Sequence, residues 1–179
     1  PIADHYAYTG AGWRVDTDRS KGEVRLMALT EQGAQTVVKH RVDSRGLADI
    51  GGLAVHNGVI AASLPNLDTL LLVDARTKSV VGEHKLTDAR GLAFDSRGRL
   101  LAAVGERLLR MAVTRDGGQV KLGEADVLAD DLVAPQRLAI DGDGHIYVSE
   151  AGDRHQVRVL DAGGRTIRRI GKPGGPQLG

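Results

Sequence analysis

Six histidines, His5, His40, His56, His84, His145 and His155, are the residues of this chain best suited to metal binding or proton transfer, because imidazole titrates near neutral pH without help from its surroundings. The motifs that usually set such groups to work are missing. There is no His-Glu-x-x-His and no Gly-x-Ser-x-Gly, so the commonest protease and hydrolase signatures are absent. Asp141, Asp143, Gly144, Ile146 and Glu150 stand at the third, fifth, sixth, eighth and twelfth positions of a calcium-binding EF-hand loop. Ala139, however, occupies the first ligand position and the flanks read as strands, so the segment is expected to be a hairpin turn. Gly171-Lys172 could end a phosphate-binding loop, but Pro173 replaces the required Ser or Thr and Thr166 replaces the first glycine. Gly10-Ala11-Gly12 lacks the third glycine of a dinucleotide fingerprint. Cysteine is absent, which excludes disulfides, thiolate metal sites and cysteine nucleophiles.

The elements that must position any site are legible from composition and repetition. The 179 residues carry 24 Lys and Arg against 23 Asp and Glu, a net charge of +1; an acidic tail or a nucleic-acid coat would show charge of one sign or in blocks. With 41% hydrophobic and 26% charged residues the chain can form an ordinary core. The longest apolar stretch, Val59 to Leu64, is far short of the ~18 residues of a membrane helix, and no secretory or transit peptide is visible. The chain begins at Pro1, from which a lost or processed native N-terminus is expected. Glycine is frequent, at 24 residues, and aromatics make up only 3%. Many tight turns and a core of Leu, Val, Ile and Ala are the consequence.

Three segments align on an apolar triplet: Gly52-Leu53-Ala54-Val55, Gly91-Leu92-Ala93-Phe94 and Arg137-Leu138-Ala139-Ile140. Each continues through a polar, Gly-containing turn into a second apolar run, which is the pattern of a β-hairpin. The triplets lie 39 and then 46 residues apart, a period of solenoids and propellers. A second hairpin follows each: Leu70–Asp74 with Ser79–Val81, Leu108–Thr114 with Gln119–Leu122, and Val157–Asp161 with Thr166–Ile170. Val24–Thr30, a turn at Glu31–Ala34 and Gln35–Val38 form a fainter copy, with Trp13–Asp16 as part of its inner hairpin. Four strands per repeat predict an all-β chain of β-propeller blades, with approximate boundaries 1–46, 47–86, 87–132 and 133–179.

Residues 133 to 171 resemble an NHL repeat. The match rests on Arg137-Leu138-Ala139-Ile140-Asp141, Asp143-Gly144-His145-Ile146-Tyr147-Val148 and Asp161-Ala162-Gly163-Gly164. The departures are Arg137 where that pattern has Gly, and Asp153-Arg154-His155-Gln156 in place of Asn-His-Arg. The resemblance implies a propeller, typically of six blades, and implies no reaction. Six blades at this spacing need roughly 240 to 280 residues, so the chain is expected to be an incomplete ring, cut at both ends, with further blades or domains of the same chain as partners; a closed ring of about four blades is the alternative.

The ligand face of such a ring would be built from connectors leading into each inner strand, Asp49–Gly51, Asp88–Arg90 and Pro135–Arg137, and from those leaving each second strand, Asn66–Asp68, Glu106–Arg107 and Glu150–Asp153. Asp68, Arg90, Glu106, Arg137 and Glu150 are expected to ring one mouth of the channel, with Asp153 beside them, and to suit a protein, a carbohydrate or a small polar ligand. Turn-flanking His56 and His145 belong to the opposite face, and no catalytic residue or metal ligand is assigned. Three function classes follow: a binding scaffold, a metal-dependent lactonase-like or lyase-like propeller enzyme with calcium or zinc as cofactor, and a surface domain of a larger protein. Outside that enzyme class no cofactor is expected. RNA is a poor candidate despite Arg154, Arg158, Arg165, Arg168, Arg169 and Lys172, because aromatics for base stacking are few. The NHL-like pattern without cysteine suits an exported bacterial protein.

Overall fold

The computed structural model describes residues 6–8, 13–18, 21–41 and 50–174. His5, Asp49, the Gly10-Ala11-Gly12 stretch of sequence and residues 175–179 lie outside them. Four antiparallel sheets of four strands follow one another, each a meander in chain order. The first contains β1 (Tyr6–Tyr8), β2 (Trp13–Asp18), β3 (Glu23–Thr30) and β4 (Gly33–Arg41). The second contains β5 (Gly52–His56), β6 (Val59–Leu64), β7 (Thr69–Asp74) and β8 (Ser79–Lys85). The third contains β9 (Ala89–Phe94), β10 (Leu100–Val104), β11 (Arg107–Asp116) and β12 (Gln119–Ala129). The fourth contains β13 (Pro135–Ile140), β14 (Ile146–Glu150), β15 (Gln156–Leu160) and β16 (Thr166–Ile170). No α-helix occurs among the described residues; a single 3₁₀ turn, Pro65–Leu67, joins β6 to β7.

The strands match the apolar runs closely, and two differences have physical causes. Gly33, expected in a turn, already opens β4 at φ +106°, leaving only Glu31 and Gln32 between the strands. Strand β12 runs seven residues past Leu122 as an edge strand whose residues 123–127 are all exposed, so Gly, Glu, Ala, Asp and Val follow one another there without a buried face for hydrophobic periodicity to report. In every sheet the register between the third and fourth strands shifts by a bulge, which adds local twist.

Apolar side chains fill the space between successive sheets. Val24, Leu26, Ile60 and Leu71 join the first two; Leu70, Leu72, Leu100 and Met111 join the second and third; Leu101, Leu108, Ile146 and Leu160 join the third and fourth. Both faces of β6 and β10 are therefore buried, as inner strands of stacked sheets must be. The four sheets do not close into a ring. Near the axis, the inner strands approach through glycine. A Cβ on Gly52 would lie 2.4 Å from the Arg90 carbonyl oxygen, and one on Gly91 would lie 2.7 Å from the Leu138 nitrogen.

The hairpin turns carry a latch repeated three times. Asp95, Asp141 and Asp161 each turn one carboxylate oxygen onto the N–H groups two and four residues ahead, at 2.9–3.0 Å. The other oxygen receives the side chain of the residue four ahead: Arg99 Nε at 2.7 Å, His145 Nδ1 at 2.9 Å and Arg165 Nε at 3.1 Å. A glycine at positive φ, Gly98, Gly144 or Gly164, completes each turn. The stretch resembling a calcium loop is thus one of these latches. Partial burial opposes ionisation of Asp141, but hydrogen bonds from the His145 ring, the His145 N–H and the Tyr147 hydroxyl outweigh it and hold the carboxyl at about 2. Asp74, in a related turn, is held at about 2 by the Thr77 N–H and by Arg115, whose guanidinium lies 2.7 Å away.

Two predictions follow from this packing. Gly52→Ala is expected to lower stability by about 1–3 kcal/mol through overpacking, whereas Gly142→Ala, with open space at its Cβ, stays within about 0.5 kcal/mol; urea unfolding of both variants measures the difference. The latches add a pH dependence. Because the folded carboxyls titrate below the ordinary value of 3.8, their stabilisation is complete above about pH 4 and drains away towards pH 2. Unfolding midpoints taken between pH 6 and 2 should fall over that window, and the Asp141→Asn variant should show a shallower fall.

Candidate functional site

At one end of the sheets three of the six expected mouth residues, Asp68, Arg90 and Arg137, join Asp88 and Gln136 in a chain of hydrogen bonds across three sheets. Asp68, in the β6–β7 connector of the second sheet, accepts the Asp88 N–H at 3.3 Å. Asp88 accepts Arg90 Nε at 3.0 Å, and Arg90 Nη1 reaches Gln136 Oε1 at 3.4 Å. Beside Gln136, Arg137 extends its guanidinium back to the Gly51 carbonyl of the second sheet and to the Gln136 carbonyl at 3.2 Å. The fourth sheet thus reaches over the third to the second. Beneath this chain, Ser63 donates to the Arg90 carbonyl at 2.8 Å and Ser149 accepts the Arg137 N–H at 3.0 Å.

The backbone here is held in costly conformations. Asp68, Asp88 and Ala134 have φ of 50°, 49° and 42°, left-handed values that a residue with a Cβ adopts only when its surroundings impose them. Asp68 is fixed by the Leu86 N–H on its carbonyl at 2.8 Å, and Ala134 by the N–H of Ala151 at 3.1 Å.

The two arginines differ in charge balance. Arg90 is paired with Asp88, whereas the hydrogen-bond partners of the Arg137 guanidinium are both neutral carbonyl oxygens. Arg137 is exposed, so its charge faces the mouth without a carboxylate partner among the described residues. Recesses of about 420 Å³, bordered by Asp88, Glu106, Arg107 and Asp130, and about 560 Å³, bordered by Asp68, Glu83, His84 and Lys85, lie on the same end.

The other expected site residues are placed differently. Glu106 is exposed in the β10–β11 turn, where its carbonyl accepts the Leu132 N–H at 2.9 Å, and Asp153 is exposed in the β14–β15 connector. Neither joins the chain from Asp68 to Gly51. Glu150 has no exposed side-chain surface. Its oxygens receive the Val133 N–H at 2.9 Å and Arg169 Nη1 at 3.1 Å, so it braces the fourth sheet from inside. Arg158 stands nearby and binds Asp131 Oδ1 at 2.6 Å, which holds the Asp131 carboxyl below its ordinary value. Sequence reading missed Ser63, Ser149 and this Arg158–Asp131 tie, since a Ser inside an apolar strand and one Arg among six carry no spacing signal.

Among the described residues the histidines do not gather. His40 lies 3.1 Å from Glu83, His84 lies 3.3 Å from the Val120 carbonyl, and the His56 ring packs on Phe94 with centroids 5.6 Å apart. Among the described residues, a group of three potential metal donors within 4.8 Å of one another occurs at Asp141, Asp143 and His145. Asp141 is the latch carboxylate, with both oxygens already engaged by N–H and O–H donors.

The chain matches no family model and no curated protein. Solved structures do resemble it. Hydrazine synthase of Kuenenia stuttgartiensis is 16% identical with a TM-score of 0.65, over 93% of this chain and 48% of that one. A catalytically inactive virginiamycin B lyase of Staphylococcus aureus, solved with quinupristin, is 11% identical with a TM-score of 0.63, over 92% and 54%. A chain of a nidogen–laminin complex is 19% identical with a TM-score of 0.65, over 96% and 65%. This chain spans about half to two thirds of the length of those it matches. At such identities the likeness establishes architecture alone: the four sheets are blades of a β-propeller in an unclosed ring.

Proposed function

We propose that the chain is part of an NHL-like β-propeller that acts as a binding scaffold, recognising an acidic group of a protein or of a small polar ligand at the mouth built by Asp68, Asp88, Arg90, Gln136 and Arg137. The observation that carries this reading is the guanidinium of Arg137, exposed and held, among the described residues, by carbonyl oxygens alone. A guanidinium so placed has spare donors in a planar fork, the geometry that accepts a carboxylate in bidentate fashion. Arg90 beside it is oriented by Asp88 and Gln136, so an incoming carboxylate meets two prepositioned cations. Support for the NHL-like part comes from the motif in residues 133–171.

A propeller enzyme of the lactonase or lyase type, with calcium or zinc, is the second reading. The likeness to virginiamycin B lyase favours it. It would need donors converging at the mouth, and the carboxylates there are instead spread over separate connectors.

Panning an immobilised sample against a displayed peptide library distinguishes the two. Acidic peptides are expected to be enriched, and Arg137→Gln should weaken the selected peptide by about tenfold or more, the effect of losing one charge-assisted hydrogen bond. Arg165→Gln, at the far end of the sheets, should leave binding unchanged. Peptides without acidic residues, or full binding by Arg137→Gln, would sink the proposal.

A further inference from the structure

The end of the sheets opposite the mouth holds a groove that the repeat closes in one place and leaves open in the next. Between the second and third sheets, the turn after β5 places the His56 ring against Phe94 and close to Gly98: a Cβ on Gly98 would lie 2.9 Å from His56 Nε2. Arg115 then crosses from the third sheet to Asp74 of the second. That boundary is filled. Between the third and fourth sheets the residue corresponding to His56 is Asp95, whose carboxylate folds back onto Arg97 N, Arg99 N and Arg99 Nε. Opposite it, Phe94 is replaced by Ile140 and Gly98 by Gly144. A smaller side chain, turned inward, faces a smaller one, and a cavity of about 510 Å³ remains.

The cavity has a defined chemistry. Its floor is Leu101, Leu128, Ile140 and Ile146. On the wall formed by the third sheet, Arg110 donates Nη1 to the Ala162 carbonyl at 3.2 Å and Nη2 to Asp126 at 3.4 Å, while its Nε is shielded from solvent and meets no acceptor among the described residues. Each Nη carries a second hydrogen and the side chain keeps 19% of its surface exposed, so the guanidinium can still donate to an acceptor in the groove. Arg97, on the same rim, engages the protein through its backbone N–H and has no ion-pair partner among the described residues. On the rim formed by the fourth sheet, Asp143 gives its N–H to the Asp141 latch, and its carboxylate accepts no hydrogen bond among the described residues. The lining thus offers cationic donors on one side, a carboxylate on the other and an apolar base between them.

We infer that this groove between the third and fourth sheets binds a small zwitterion with an apolar body, an amino acid or a short peptide with free ends, its carboxylate on Arg110 and Arg97 and its ammonium on Asp143. The volume lies within the range of small-molecule pockets, and the latches fix the backbone of both rims before a ligand arrives. The site is independent of the mouth and of the reading given for it.

The test uses the dipeptide Leu-Leu as probe, followed by the ¹H–¹⁵N resonances of the whole chain, arginine Nε–H signals included. Leu-Leu is expected to shift Arg110 Nε–H and the amides around Arg97, Asp143 and Ile146. N-acetyl-Leu-Leu and Leu-Leu amide, each lacking one charge, should bind about tenfold more weakly, as should the protein variants Arg97→Gln and Asp143→Asn, whose backbone latch bonds are retained. The resonances of those variants outside the groove report that the fold is intact. No shift at the groove, equal binding of the blocked dipeptides, or undiminished binding by both variants would overturn the inference; so would an uncharged sugar such as maltose shifting the same resonances more strongly than Leu-Leu.

Discussion

Inner strands of neighbouring sheets meet backbone to backbone, and a single misplaced Cβ prevents it. At Gly52 and Gly91 the gap to the next sheet is 2.4–2.7 Å from where a Cβ would sit, less than any carbon tolerates. The apolar layers farther out, such as Leu70 and Leu72 against Leu100 and Met111, can interdigitate only because the sheets have already come this close. The fourth sheet carries Arg137 at the same repeat position. Its side chain turns over the axis to Gly51 instead, so the position that elsewhere permits packing becomes, here, a cation presented at the mouth. A fold constraint and a candidate recognition element occupy one place in the repeat.

The two ends of the sheets treat charge in opposite ways. At the hairpin-turn end, Asp95, Asp141 and Asp161 each face two N–H donors and a cationic or imidazole side chain, and are held ionised. Those carboxylates are consumed by local structure and have little capacity left for proton transfer or a metal. Between the third and fourth sheets, the same latch that satisfies Asp95 also withdraws it from the inter-sheet boundary, and the groove over Leu101 and Ile146 is the geometric result. A turn motif that stabilises a hairpin can thus create a cavity simply by replacing a ring that would have filled it.

The architecture was legible in the sequence because it depends on features that repeat: apolar triplets, each followed by a polar, glycine-containing turn and a second apolar run. Strand pairs in the last three sheets fall where alternating apolar runs place them. The mouth was legible only in part. Asp68, Arg90 and Arg137 could be assigned to one end from the order of strands, since every connector of a meander must emerge at a known side. Whether a carboxylate there faces outward or inward depends on one residue of register, which is why Glu150 sits inside the fourth sheet against Arg169 rather than on the rim. The bulge between Pro135 and Arg137 shifts that register, and no pattern of residue types announces it.

The same dependence on register underlies the proposal that this end recognises a ligand. A catalytic or metal-binding ring needs several donors aimed at one point, so each sheet must contribute its residue at matching height and direction. Here the second sheet contributes a carbonyl, the third an arginine paired with its own aspartate, and the fourth an arginine held by carbonyls. Those groups are linked in a line rather than focused on a centre. A line of donors with spare capacity matches an extended acidic surface better than it matches one reacting atom. Its strength is set by the solvent-exposed charge of Arg137, which salt screens, while its geometry is set by the buried tie of Ser63 to the Arg90 carbonyl, which salt leaves untouched.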